Sequence, residues 1–259
     1  MNRKRIAVIS SYHEECGAAF YSSRLKRHLA EHADVEILRL DVGLLRNRNR
    51  RVVKKANRHI AEIARRMKDF DGVCLQFEPG LYAARPKWAY RRVLRLCRAH
   101  HNVVLTVHGF ERPPDFDLIS LAASLFSFSP RRIAKTMRFL KQHFSYRHAV
   151  RFWHRLERLK DVRILTFCKA DAKLLKIFFG LTRVYDFPIT YYTQEEVEAI
   201  RRSCNRSELL RRYGLNPAKK YVGIFGFLSN YKGHLTAIKM LEYLPEDYHL
   251  IIVGGEHPH

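Results

Sequence analysis

Short apolar runs alternate along the chain with longer stretches of helical period. Ile6-Ala7-Val8-Ile9 predicts a buried strand, Ala18 to Ala30 a helix, and Val35 to Leu40 a second strand. Val52, Ala56, Ile60, Ile63, Met67 and Phe70 recur every three to four residues, the mark of an amphipathic helix. Val73 to Leu75 predicts a third strand, Trp88 to Cys97 a helix, Val103 to Val107 a fourth strand, and Arg163 to Phe167 a fifth. A helix follows from about Asp171 to Phe179. Strands alternating with helices imply a parallel sheet with helices on both faces. Ligands of such sheets bind outside the carboxyl ends of the strands.

Two stretches depart from this alternation. From Phe110 to Lys160 there is no clear strand. Ile133, Met137, Leu140 and Phe144, then Ala149, Phe152, Leu156 and Leu159, form helical stripes with basic residues between them. At Tyr185-Asp186-Phe187-Pro188 the composition turns linker-like, and a charged helical stretch runs from Glu195 to Tyr213. After a break at Gly214 to Pro217, Tyr221 to Phe225 reads as a strand, Leu235 to Leu244 as a helix, and His249 to Val253 as a strand. One β-α-β unit cannot bury both faces of its sheet, so a second domain is expected to have begun without being completed. The expected division is a first Rossmann-like domain over 1–187 with a basic helical insertion at about 110–160, a linker over 188–216, and the start of a second domain over 217–259.

Charge narrows the partners. Lys and Arg number 48 against 25 Asp and Glu, a net charge of +23. Such a field attracts polyanions, so nucleic acid, an anionic membrane surface and phosphorylated substrates are all candidates. Two tracts concentrate the charge. Ten Lys/Arg face one Glu between Gly43 and Lys68, and ten face only Glu157 between Arg131 and Lys160. The second tract adds Phe139, Phe144, Tyr146, Phe152 and Trp153. Basic residues around an aromatic stripe suit a helix lying on an anionic bilayer, with Arg147, Arg151, Trp153 and Arg155 as the contact surface. They also suit nucleic acid, or a core stripe with a solvated charged face. The basic Met1 to Arg5 is followed only by Ile6 to Ile9 before polar residues return, too short for a secretion signal. No apolar run is long enough to span a membrane. The five cysteines, Cys16, Cys74, Cys97, Cys168 and Cys204, are scattered without a C-x-x-C pair, as in a reducing cytosol.

Candidate chemistry lies in the loops after strands. Gly17 stands just before a helix and lets the backbone approach a ligand. Glu78, beside a Pro-Gly turn, suits a base or a partner for sugar hydroxyls, with a solvated turn carboxylate as the competing reading. His108, at the exit of a central strand with Gly109 beside it, has an ordinary pKa near neutral pH, although a structural histidine is the plain alternative. The loop Gly226 to Gly233 carries Lys232 and is suited to a diphosphate. The G-x-G-x-x-G, Walker A, H-E-x-x-H and G-x-S-x-G patterns are all missing, and no Cys/His spacing suits a metal.

Three stretches, in order, resemble family-4 glycosyltransferases of the GT-B fold (glycosyl transferases group 1). They are RIAVISSYHEECGAAFYSSRLKRHL, DGVCLQFEPGLYA followed by NVVLTVHGF, and KKYVGIFGFLSNYKGHLTAIKMLEYLPEDYHLIIVGG. The resemblance implies an α/β chain of GT-B type, with a Rossmann-like acceptor-side domain and the first β-α-β unit of a nucleotide-sugar-binding domain. It implies transfer, with retention, of a sugar from a nucleoside-diphosphate sugar to an acceptor hydroxyl. Gly17, Gly226 and Lys232 would lie at the donor diphosphate, and His108 beside the transferred sugar or acceptor. Neither a metal nor another cofactor is expected. The acceptor is expected to be lipid-linked or a glycan, in polysaccharide or glycolipid synthesis at the cytoplasmic face of a membrane.

Two departures qualify this. Phe227 stands where many relatives carry Arg, and the family's downstream acidic motif would fall beyond His259. The chain is accordingly expected to be C-terminally truncated and inactive alone. A basic nucleic-acid-binding module and a non-catalytic glycosyltransferase-like subunit remain open, although nucleic acid is not the expected partner.

Overall fold

The computed structural model describes residues 3–14, 16–110, 130–229 and 232–256. The chain divides into two compact units, Met1–Tyr191 and Tyr192–His259. Glu15, Asn230, Tyr231 and the terminal His257-Pro258-His259 lie outside the described residues, as do 111–129 and the side chains of Ile133, Phe139, Leu140 and Phe144.

The first unit runs β1 (Arg5–Ser10), α1 (Gly17–Leu29), β2 (Asp34–Arg39), α2 (Val42–Arg46), α3 (Arg50–Arg66), β3 (Gly72–Phe77), α4 (Pro79–Tyr82), α5 (Pro86–Cys97), β4 (Val103–Val107), α6 (Pro130–Glu157), β5 (Val162–Thr166), α7 (Lys169–Phe179) and β6 (Val184–Asp186). Its strands form one sheet in the order β2-β1-β3-β4-β5-β6, and every pairing is parallel. This is the α/β architecture that the alternation of runs implies. In β3 every residue but Cys74 is buried, as expected of a strand covered on both faces. The sixth strand, β6, overlaps the stretch from Tyr185 to Pro188 where the composition turns linker-like. Of its three residues only Val184 is buried, too short an apolar run to announce a strand.

Local chemistry sets the helix starts. Cys16 and Cys168 cap α1 and α7, their Sγ atoms accepting from the amides of Ala19 at 3.4 Å and Asp171 at 3.5 Å. Asn49 caps α3 through its side-chain oxygen. Gly180 closes α7 at φ 65°, the left-handed position glycine favours.

Helix α6 accounts for the latter part of the basic aromatic tract. Ala149, Phe152, Trp153 and Leu156 are buried, and α6 lies against α5. Phe152 stacks on Tyr90 and Phe77 with ring centroids 4.8 and 5.2 Å away. Trp153 meets Phe77 at 5.6 Å and Phe179 at 5.7 Å. This aromatic cluster joins α5, α6 and α7 to β3.

The second unit contains α8 (Gln194–Ser203), α9 (Arg206–Arg212), β7 (Lys220–Phe225), α10 (His234–Met240) and β8 (Tyr248–Val253). The charged stretch before Gly214 is thus two helices. The first opens with a capping box in which Thr193 and Glu196 each accept from the other's amide. Strands β7 and β8 pair in parallel around α10, a single β-α-β unit. No described residue after Val184 is buried, so this unit has no core of its own.

Candidate active site

In the first unit the strand order reverses between β1 and β3, and ligands of open α/β sheets bind in the crevice outside the carboxyl ends at such a point. The loop after β1 holds His13 at φ 57°, a conformation that costs a non-glycine residue strain. Next to it Glu14 pairs with Arg39 at 3.5 Å. Gly17 opens α1, and a Cβ there would meet nothing within 4 Å. The protein's own packing therefore does not demand glycine at this position.

His108 follows β4, its amide donating to the carbonyl of Phe77 at 3.0 Å. The ring stands 5.4 Å from that of Tyr21 and 5.0 Å from that of Phe167, both edge-on. Its Nε2 donates to Oε1 of Gln76 at 2.8 Å. Nε2 thus carries the proton and Nδ1 keeps its lone pair. Burial lowers the pKa from 6.5 to about 4. This corrects the expectation of a histidine titrating near neutral pH. At pH 7 the ring is neutral, suited to exchanging hydrogen bonds with hydroxyl groups and not to holding an anion.

Glu78 belongs to the same crevice. Its Oε2 lies 3.5 Å from the position a Cβ on Gly109 would take. The residue is exposed, yet desolvation raises the carboxyl pKa, as in a group recessed among protein atoms but open to solvent. The structure therefore brings Glu78 and His108 together at the ends of adjacent strands.

Three partners of His108 escaped the sequence reading. Tyr21, on α1, is buried and its hydroxyl pKa is pushed up to about 12, by burial first and then by Cys74 and Tyr191. Phe167 lies just past β5. Gln76 belongs to β3, and its Nε2 is buried with no partner among the described residues. An amide interrupting the apolar run Val-Cys-Leu-Gln-Phe was the available signal.

In the second unit Gly226 follows β7 at φ 120° and Gly254 follows β8 at φ 154°. A Cβ on Gly254 would stand 2.0 Å from the carbonyl oxygen of Gly226, so only glycine fits. The two ends are tied by Gly226 N to Val253 O and Leu228 N to Gly255 O, each 2.9 Å. Nζ of Lys232 lies 3.4 Å from the position a Cβ on Gly226 would occupy. Gly226 and Lys232 thus meet, and Gly254, not among the candidate residues of the sequence, lies directly against the Gly226 carbonyl. Ser229 Oγ and His234 Nε2 are buried near this loop without partners among the described residues.

The proposed contact surface on α6 divides. Arg147, Arg151 and Arg155, one turn apart, are exposed along one face. Trp153 is not part of that face. It is 1% exposed and forms part of the aromatic core, which corrects its assignment to a membrane-contacting surface. The latter part of the apolar stripe, Ala149, Phe152 and Leu156, is core, whereas Met137 on its earlier part is exposed, and packing against α5 and α7 takes the Trp153 ring inward. Among the described residues no group of three or more His, Cys, Asp or Glu could hold a metal ion, and no helix is long and apolar enough to cross a membrane.

No protein-family model matches the chain, and no curated protein matches it. Solved structures do. HepE of Anabaena, solved with UDP and glucose, superposes with a TM-score of 0.54 at 14% identity over 98% of this chain. The same protein solved with UDP alone gives 0.53. The chain spans 62% of the length of HepE. A sialyltransferase from Photobacterium damsela matches more loosely, with a TM-score of 0.39 at 11% identity. The likeness to HepE establishes the α/β fold of this chain.

Proposed function

We propose that the chain takes part in transferring a sugar from a nucleoside-diphosphate donor to an acceptor hydroxyl, with retention of anomeric configuration. The observation that carries this reading is Lys232 set beside Gly226, whose carbonyl meets Gly254, at the carboxyl ends of β7 and β8. Backbone without side chains admits a diphosphate closely, and a fixed ammonium meets its charge. The fold shared with HepE, a protein solved with UDP and glucose, supports the same donor class.

In this reading the bond between the anomeric carbon and the diphosphate oxygen breaks while the acceptor oxygen bonds to the same face of the sugar. The hydroxyl proton passes to the departing phosphate oxygen. Negative charge grows on that oxygen, and Lys232 stabilises it without a metal ion. Neutral His108, held by Gln76, and Glu78 hydrogen-bond hydroxyls of the transferred sugar or the acceptor. Arg147, Arg151 and Arg155 suit an anionic membrane surface, which supports a lipid-linked acceptor at the cytoplasmic face.

The test is calorimetry with a panel of UDP- and GDP-sugars on the wild type and on Lys232→Ala. Binding of one donor, weakened at least tenfold in the variant, is the expected result. A donor bound equally by both proteins, or no binding by any, overturns the reading.

A further inference from the structure

The basic tract after Gly43 is left unused by the crevice and by the Gly226–Gly254 pair. One of its turns meets a cavity of about 50 Å³ in the first unit, lined among others by Asn47, Arg48, Val53, Arg85, Trp88 and Arg92. One water needs roughly 10–15 Å³ of such space, so a small ionic group fits and a nucleotide does not. None of the lining residues is acidic.

Arg92 makes this cavity unusual. It is 4% exposed, so a guanidinium is buried beneath the cavity. Its Nε donates to Oδ1 of Asn57 at 3.0 Å, and its Nη1 to the carbonyl oxygens of Leu45 at 2.8 Å and Tyr82 at 2.6 Å. All three partners are neutral. Among the described residues no carboxylate pairs with it, and its Nη2 has no protein acceptor. A buried charge without a counter-charge is costly, and carbonyl dipoles offset only part of that cost.

The surroundings add positive potential. Helix α5, 12 residues long, begins at the cavity. Arg85 occupies its cap position, no side chain caps its first turn, and that turn contains no acid. The positive end of the helix dipole thus faces the same space as three arginines. Trp88 forms an apolar wall, with the Arg91 guanidinium 5.3 Å from its ring centroid. The pKa of His148 on α6 is lowered first by desolvation and then by Lys87, Arg151, Arg91 and Arg147, so the basic face continues onto that helix.

We propose that this cavity binds a phosphate group, with Nη2 of Arg92 at its base and the guanidinium forks of Arg48 and Arg85 closing over the oxygens. The arginine fork matches a phosphate edge in a way a lysine does not. The cavity shares no residue with the Gly226–Gly254 pair, and the proposal stands whether or not the donor reading does. The phosphate can come from a small soluble molecule or from a lipid headgroup.

The test uses the exposed pair Arg48→Gln/Arg85→Gln in the full chain at 150 mM salt. A control, Arg201→Gln/Arg202→Gln, removes the same charge from the second unit. Inorganic phosphate and pyrophosphate are titrated by calorimetry, and vesicles containing phosphatidic acid by sedimentation. A 1:1 soluble-anion site weakened at least tenfold by the first pair and unchanged by the control supports a soluble source. Vesicle binding lost only in the first pair, with no soluble-anion site, supports a headgroup. Equal effects of both pairs, or none, overturn the proposal. Arg92→Gln gives a second reading where its circular dichroism matches the wild type, and phosphate binding retained there would also overturn it.

Discussion

His108 offers a prediction that needs neither donor nor acceptor. Its ring sits between Tyr21 and Phe167 with a proton held toward Gln76, and burial takes its pKa from 6.5 to about 4. The folded protein therefore resists protonating this ring, whereas the unfolded chain takes up the proton near pH 6.5. Between those values the unfolded state binds more protons, so stability rises with pH across the window and is lost as pH falls from 6.5 toward 4. Each tenfold change in proton affinity is worth about 1.4 kcal/mol, which sets an upper figure of about 3 kcal/mol for the loss. The ring retains some solvent contact, so the measured effect will be smaller. Urea denaturation of the wild type and of His108→Gln at pH 7 and pH 4.5 reads the difference. The wild type should lose more stability than the variant over this interval. Histidine Hε1 resonances followed by NMR should show one signal, absent from the variant, that does not move until well below pH 5. A His108 signal moving near pH 6.5, with equal pH dependence in the two proteins, would refute the argument.

Other expectations follow from particular contacts. Trp153→Ala should cost about 3–5 kcal/mol in urea denaturation because it empties the cluster of Phe77, Phe152 and Phe179, and a loss below about 1 kcal/mol would contradict a core role. Arg147→Gln/Arg151→Gln/Arg155→Gln should weaken sedimentation with anionic vesicles, while Trp153→Phe should leave it unchanged; the reverse pattern would restore the tryptophan to the surface. Gly254→Ala should abolish nucleotide-sugar binding, since its methyl group would lie 2.0 Å from the Gly226 oxygen, whereas Gly223→Ala, with nothing within 4 Å, should retain it. Wild-type binding by Gly254→Ala would show that the two strand ends need not touch.

Periodicity alone was enough for the sheet and most of its helices, because β3 and β4 are buried along most of their length and α3 keeps one apolar face. It missed β6, where only Val184 is buried, and the short helices α2 and α4, each of about one turn. Side-chain destination was harder to read. Trp153 and Arg151 are two residues apart on one helix, yet one is core and the other faces solvent. A basic aromatic tract leaves that rotation open until α5 and α7 are in place. Glu78 and His108 were legible as strand-end residues. Tyr21, Phe167 and Gln76 were not, since their proximity to His108 depends on strand order. Gly254 was invisible for the same reason: its need for glycine arises from an oxygen 28 positions away.

The paired strands β7 and β8 also have a consequence for handling the protein. Phe225 is 82% exposed, and Ile252 and Val253 are open to solvent as well. Among the described residues the outer backbone edges of this two-stranded ribbon have no neighbouring strand. Bare edges beside apolar side chains are templates for pairing with other chains. Self-association should therefore compete with ligand binding in proportion to protein concentration, and an affinity measured at a single concentration would mix the two equilibria.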